Sequence, residues 1–135
     1  MATLLFQLAI AVVLLYGCGG GSSDFPEMPA AVASSREAAI RGEALYRRNC
    51  TICHGVAGHG DGLQAASLRP PPADLRNLRG VRAEPGYWFF RIKEGGKRAP
   101  LARSGSAMPG WGDHLSDEDI WDIVVYLTSF VKEGS

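Results

Sequence analysis

Two cysteines and a histidine, Cys50, Cys53 and His54, fall within five positions of "RRNCTICHG", residues 47–55. Thiols and an imidazole this close together suit three chemistries: holding zinc, cycling as a redox dithiol, or fixing and ligating something larger. A structural zinc ion takes four protein ligands. The remaining thiol and imidazoles are Cys18, His59 and His114, and they form no second C-x-x-C or H-x-x-x-H pair. A thioredoxin-like C-x-x-C belongs on a βαβ pattern, which this chain lacks. With three cysteines, one disulfide would leave an odd thiol, so the chain is no disulfide scaffold either.

The third chemistry uses all three residues. C-x-x-C-H is the attachment sequence of haem c. Two cysteine sulfurs add to the two vinyl groups on one porphyrin edge. Thr51 and Ile52 let the chain span that edge, and His54 then turns its imidazole toward iron from one face.

Such a group needs a pocket, and the flanking sequence predicts the elements that make one. "SSREAAIRGEALYRRNC" reads as a helix with Ser35 as N-cap and Ala39, Gly42 and Tyr46 on one side. Gly42 is a poor helix former and suits a place where another helix approaches closely. "LSDEDIWDIVVYLTSFVKE" has Ser116 as N-cap and Asp119 three residues later, a variant of the capping box. Asp117, Glu118 and Asp119 match the positive end of the helix dipole. Ile120, Val124, Leu127 and Val131 form an apolar stripe flanked by Ile123, Tyr126 and Phe130, with Asp122 off it. "GYWFFRIKEGG" reads as a short helix stopped by Gly95 and Gly96, with a strand as the alternative that periodicity leaves open. Residues 55–86 and 97–114 are rich in Gly and Pro and read as loop. A loop this long in a small domain is expected to wrap something.

The N-terminus predicts export. "MATLLFQLAIAVVLLYGC" holds no charged side chain, and its apolar run, Leu4 to Tyr16, is shorter than the roughly 20 residues of an ordinary membrane span. It has the length of a signal-peptide apolar region. Residues 1–17 are therefore expected to be a signal peptide. The ending Leu15-Tyr16-Gly17-Cys18 resembles a bacterial lipoprotein signal, which implies lipidation of Cys18. The alternatives are an uncleaved membrane anchor or a soluble periplasmic product. Residues 18–35, rich in Gly, Ser, Ala and Pro, read as a flexible tether. Residues 36–135 remain for one domain.

From about Arg36 to Val131 the chain resembles a class I monohaem cytochrome c of bacterial type. "CTICHG" follows a helix bearing Gly42 and Tyr46, "IVVYL" supplies the partner pair Ile123 and Tyr126, and "GVAGHGDG" follows the attachment motif. The resemblance implies an all-α cytochrome c fold, its N- and C-terminal helices packed together around one covalent haem. Such proteins take the sixth iron ligand from a methionine in the loop before the last helix, often followed by proline. Met108-Pro109 in "SGSAMPGWG" matches, whereas Met1 falls in the signal and Met28 in the tether. His114 is a backup ligand; His59 lies too close to His54 to cross the haem plane. A proline carbonyl is expected to hold the His54 ring, with Pro71 favoured among Pro70, Pro71 and Pro72. Arg69, Tyr87, Trp88 and Trp111 are candidate donors to the haem propionates.

The resemblance implies one-electron transfer rather than enzymatic turnover, in a periplasm-facing respiratory or photosynthetic chain. Redox proteins would be the donor and acceptor, with the membrane reached through the lipid anchor. Two alternatives follow: a haem subunit of a larger membrane oxidoreductase, or a small-ligand or peroxide-reactive haem protein if Met108 does not ligate. The formal net charge of zero over 135 residues predicts no strong affinity for nucleic acid. Charge is unevenly placed, however. Residues 79–103 carry +5 and residues 113–133 carry −5, so the basic segment is a candidate steering surface for an acidic partner.

Overall fold

The computed structural model describes residues 25–79, 83–96 and 105–132. The expected signal peptide and Cys18 lie outside the described residues. Among the described residues, five α-helices run in the order α1 (Ala30–Ala33), α2 (Arg36–Asn49), α3 (Thr51–His54), α4 (Pro85–Glu94) and α5 (Asp117–Lys132). Short 3₁₀ turns at Ala65–Ser67 and Leu75–Asn77 interrupt the long loop. No strand occurs among the described residues.

The helix ends are set by side chains that the sequence placed there. Ser35 Oγ accepts the Ala38 amide at 3.1 Å. At α5 the box closes both ways: Asp119 N donates to Ser116 Oγ at 3.1 Å, and Ser116 N donates to Asp119 Oδ2 at 3.0 Å. Pro85 opens α4 at its first position, where a missing N–H costs nothing.

The most extensive helix contact joins α2 to α5, far apart in sequence. Gly42 makes it possible: a Cβ there would overlap the Asp122 carbonyl. Tyr46 then packs against Tyr126 at 5.4 Å and Phe130 at 5.5 Å between ring centroids. The buried face of α2 is Ala38, Gly42 and Tyr46, so Ala38 replaces the expected Ala39. α5 is buried on more sides than its stripe predicted, because α1 and α4 cover it as well as α2. Asp122, expected off the apolar positions, is 1% exposed. It survives there because Arg41 grips it with two bonds, Nε to Oδ2 at 2.6 Å and Nη2 to Oδ1 at 2.9 Å. A buried carboxylate without such a partner would be strongly destabilising.

The expected tether differs from the structure over residues 25–35. Phe25 meets the Tyr87 ring edge-on at 5.4 Å and the Phe90 ring at 5.6 Å. Met28 and Val32 pack against the core, and α1 touches α5. The physical reason is that Phe25, Met28 and Val32 are apolar enough to cover α4 and α5, despite the Gly, Ser and Pro around them. Packing against the core therefore extends to Phe25 among the described residues.

Candidate functional site

The attachment motif is a single helical turn, α3, continuing from α2 through Cys50, whose amide donates to the Tyr46 carbonyl at 2.8 Å. A helix end leaves its last carbonyls without partners. The loop after α3 supplies them at alternate residues. Gly60 N donates to His54 O at 2.8 Å, Gly62 N to Cys53 O at 3.1 Å, and Gln64 N to Ile52 O at 2.9 Å. Tyr46 Oη, buried, donates to Gly55 O at 2.7 Å. This is the structural content of "GVAGHGDG": small residues let the loop fold back onto the motif and fix it.

Cys50 is half-buried against the core, and burial, then the neighbouring Cys53, pushes its thiol up to about 12. Cys53 sits beside Gln64, Sγ to Oε1 at 3.8 Å. His54 is oriented through its ring. Nδ1 lies 3.3 Å from Ala73 O, and a carbonyl only accepts, so Nδ1 carries the proton and Nε2 keeps its lone pair. Burial lowers the His54 pKa; the Ala73 bond opposes this and the charge of Arg91 reinforces it. The imidazole is thus held neutral, the form that ligates a metal. The acceptor is Ala73, not the expected Pro71. The proline run brings the chain to the ring, and the next non-proline residue presents its carbonyl.

Met108 lies in the loop before α5, half-buried against the same core cluster as Cys50. Its loop is pinned to the end of α4 by the same device. Trp111 N donates to Ile92 O at 2.9 Å, Gly112 N to Lys93 O at 3.1 Å, and Gly96 N to Met108 O at 2.9 Å. Met108 N donates to Ser106 Oγ at 3.2 Å. Helix α4 therefore links the two halves, acting on His54 through Arg91 and holding the methionine loop at its C-terminus. His59 and His114 are exposed; His59 Nδ1 lies 3.8 Å from Asp74 Oδ1, and His114 packs edge-on to Trp111. Neither is brought to His54 by any contact among the described residues.

Does haem c fit these residues? The donor set is right: two thiols, one neutral imidazole with a free Nε2, and one thioether. A second observation is independent of it. Arg91 Nη1 is buried and has no hydrogen-bond partner among the described residues. An orphaned guanidinium nitrogen beside His54 matches a carboxylate of a bound group, and haem carries two propionates. Arg91 was not among the expected donors. The signal was a lone cation inside "YWFFRI", where an apolar helix face should have excluded it. Of the donors that were expected, Arg69 Nη1 is occupied by Ala66 O and Leu68 O. Tyr87 packs on Phe25, Trp88 is buried, and Trp111 packs against the core.

The proposed steering surface is also altered. Lys93 pairs with Asp117 at 2.6 Å, so the basic segment and the acidic first turn of α5 neutralise each other there. Arg91 is withdrawn into the site. Arg82, Lys97, Arg98 and Arg103 lie outside the described residues.

Comparison with known proteins agrees with this architecture. Among curated proteins, the chain is 27% identical over 95 residues to the Cbb3-type cytochrome c oxidase subunit FixP of Azorhizobium caulinodans, covering 67% of this chain and 26% of that one. It is 33% identical over 95 residues to the cytochrome c subunit of a quinone alcohol dehydrogenase from Gluconobacter oxydans, covering 69% of this chain and 18% of that one. The chain thus spans about a quarter or less of these relatives' length. Among solved structures, it matches a chain of the Kuenenia stuttgartiensis reducing HAO-like protein complex with a TM-score of 0.61 and 25% identity, over 88% of this chain and 54% of that one. Cytochrome cL of Methylophaga aminisulfidivorans shares the fold, with a TM-score of 0.55 at 20% identity over 82% of this chain and 69% of that one. The family model described as "Cytochrome C oxidase, cbb3-type, subunit III" matches residues 37–127, and the chain belongs to this family of c-type cytochrome domains, which carry covalent haem c.

Proposed function

We propose that the protein is a one-electron carrier holding a single haem c through Cys50 and Cys53, with His54 and Met108 as axial ligands. The observation that carries the reading is the ring of His54: Nδ1 is committed to Ala73 O, which leaves Nε2 for iron. When bound, the haem supplies a ferric–ferrous couple. The chain's own residues do the rest. Cys50 and Cys53 fix the porphyrin edge, and the capped α3 turn keeps both from moving. Arg91, through its buried Nη1, would give a propionate a cationic partner. Met108 supplies a thioether, which favours the ferrous state and raises the potential. The core of Tyr46, Phe89, Ile92 and the α5 residues excludes water and limits reorganisation.

Electron exchange needs a contact surface near the attachment edge. Ile52 on α3 and Val56 and Leu63 in the loop after it are exposed, Leu63 at 92%, and they line one open groove together with Thr51 and Asp61. An exposed apolar patch of this kind suits a transient partner. A second reading is favoured by the relatives' names: the domain serves as the haem subunit of a membrane oxidoreductase, as theirs are named for an oxidase and a dehydrogenase. In either case the redox partners lie on the periplasmic side of a bacterial membrane, with lipidated Cys18 as the anchor. No helix among the described residues is long and apolar enough to cross a membrane.

The test is optical. Ferric protein at neutral pH is expected to show the weak far-red sulfur-to-iron band, and ferrous protein to bind carbon monoxide slowly. Immediate binding and no such band would replace the carrier with a small-ligand haem protein. For the anchor, Cys18→Ser is expected to release soluble cytochrome or leave an unprocessed precursor; native protein without lipid mass that washes off with salt would refute it.

A further inference from the structure

Gly60 touches both ends of the proximal ligand. Its amide donates to the His54 carbonyl at 2.8 Å. Its α-carbon faces the loop that holds the His54 ring: a Cβ at position 60 would sit 2.5 Å from Pro72 O, 3.2 Å from Ala73 O and 3.3 Å from Ala73 C. These are backbone atoms, so no side-chain rotation relieves the overlap. The facing loop has little room to retreat. Leu75 N donates to Gly58 O at 2.7 Å, and Asp74 caps the next turn by accepting Arg76 N at 3.0 Å. The carbonyls of Pro72 and Ala73 are therefore caught between Gly60 and these bonds, and the second of them is the acceptor for Nδ1.

We propose that Gly60 is a positioning residue that sets the donor strength of His54, because its missing Cβ lets the Ala73 carbonyl reach the ring. The inference rests on the reading that His54 ligates the haem iron. A hydrogen bond from the distant ring nitrogen raises the basicity of a ligating imidazole. A more basic imidazole favours ferric iron, so weakening the bond raises the potential. Nothing in the sequence alone assigns this to Gly60, since a glycine in a loop reads as a turn. Its partners are the carbonyl of His54 and a peptide more than ten residues away.

The experiment uses the full-length, haem-loaded protein. Gly60→Ala and Gly60→Asn are compared with the native protein for the exchange rate of the His54 Nδ1 proton, by NMR in the ferrous state, and for the potential. Gly60 has φ +77°, so alanine there also strains the backbone. Asparagine tolerates that conformation better while keeping a Cβ. Gly105→Ala is the strain control, with φ +63° and no neighbour nearer than 4.0 Å. Both substitutions at position 60 are expected to accelerate proton exchange at least tenfold and to shift the redox equilibrium several-fold toward ferrous. Gly105→Ala is expected to leave that exchange unchanged. Native-like exchange in both position-60 variants, or exchange restored by asparagine, or acceleration by Gly105→Ala of equal size, would overturn the inference. A native protein whose spectrum shows no imidazole ligand would instead overturn the underlying assignment of His54.

Discussion

The His54 side and the Met108 side of the site use the same device and reach different rigidity. On each, a loop returns to cap the open carbonyls of a helix end. Near His54 the loop closes three of them with the amides of residues 60, 62 and 64, Tyr46 adds a buried hydroxyl, and the ring itself is bonded. Near Met108 the loop closes two carbonyls of α4, and the side chain beyond the Met108 backbone is directed by packing. An imidazole has to be aimed, because only one nitrogen on a rigid ring ligates. A thioether on three rotatable bonds finds its place by contact. The fixed ligand is thus hydrogen-bonded and the exchangeable one is packed.

The largest effect should come from swapping the roles. His54→Ala removes a residue inside the attachment motif, and little or no mature haem protein is expected, at least a tenfold loss by absorbance per mass of protein. Met108→Ala should leave covalently attached haem, lower the potential and open the iron to carbon monoxide. Equal yields from the two variants would show that the His54 side is no more essential to assembly than the Met108 side.

The sequence made one side of this comparison far more legible than the other. Cys50, Cys53 and His54 declare themselves by spacing, and Gly42, Tyr46 and Tyr126 by helical period. Met108 needed a family resemblance, because a lone methionine carries no spacing. Ala73 and Arg91 were missed for a different reason. Ala73 acts through its carbonyl, which every residue has, and Arg91 looked like surface charge until α4 was seen to turn it inward. The arm from Phe25 was hidden by its Gly, Ser and Pro context, although its few apolar residues decide its packing. Asp122 was hidden by its own charge, and only the register of α2 against α5 brings Arg41 to it.

A smaller effect separates support from ligation. Tyr46→Phe keeps the ring contacts with Tyr126 and Phe130 but deletes the 2.7 Å bond to Gly55 O, which is left with only the longer 3.3 Å bond from Gly58 N. The expected cost is about 1 kcal/mol, or roughly 4–8 °C in Tm for a domain of this size. Calorimetry of the haem-loaded variant checks it. An unchanged Tm would mean that the α3 turn is held by the loop amides alone.

Acid should also tell the two sides apart, since a thioether has no proton to gain or lose in this range. The His54 pKa is lowered in the folded protein, so below the ordinary histidine value of about 6.5 the unfolded chain binds more protons than the folded one. Stability therefore rises with pH across the window between the lowered folded value and about 6.5, and falls as pH drops through it. Iron on Nε2 pushes in the same direction. Thermal midpoints of the haem-loaded protein should decline from pH 7 to pH 5. A flat profile over that window would show that unfolding does not free the His54 ring to take up a proton.

The smallest effect tests how little holds the Met108 side. Ser106 Oγ accepts the Met108 amide at 3.2 Å, two residues away. It fixes the backbone from which the thioether leaves, without touching the sulfur's bonding electrons. Ser106→Ala should cost about 1 kcal/mol or less and should not shift the sulfur-to-iron band. It should increase the time the sulfur spends off the iron, read as a few-fold faster binding of carbon monoxide to ferrous protein. Ser106→Thr keeps the oxygen and should restore the native rate. If Ser106→Ala binds carbon monoxide at the native rate, packing alone places Met108, and the contrast with His54 becomes sharper. If it binds as fast as Met108→Ala, the backbone bond governs ligation, and both sides of the site depend on hydrogen bonds for their ligands.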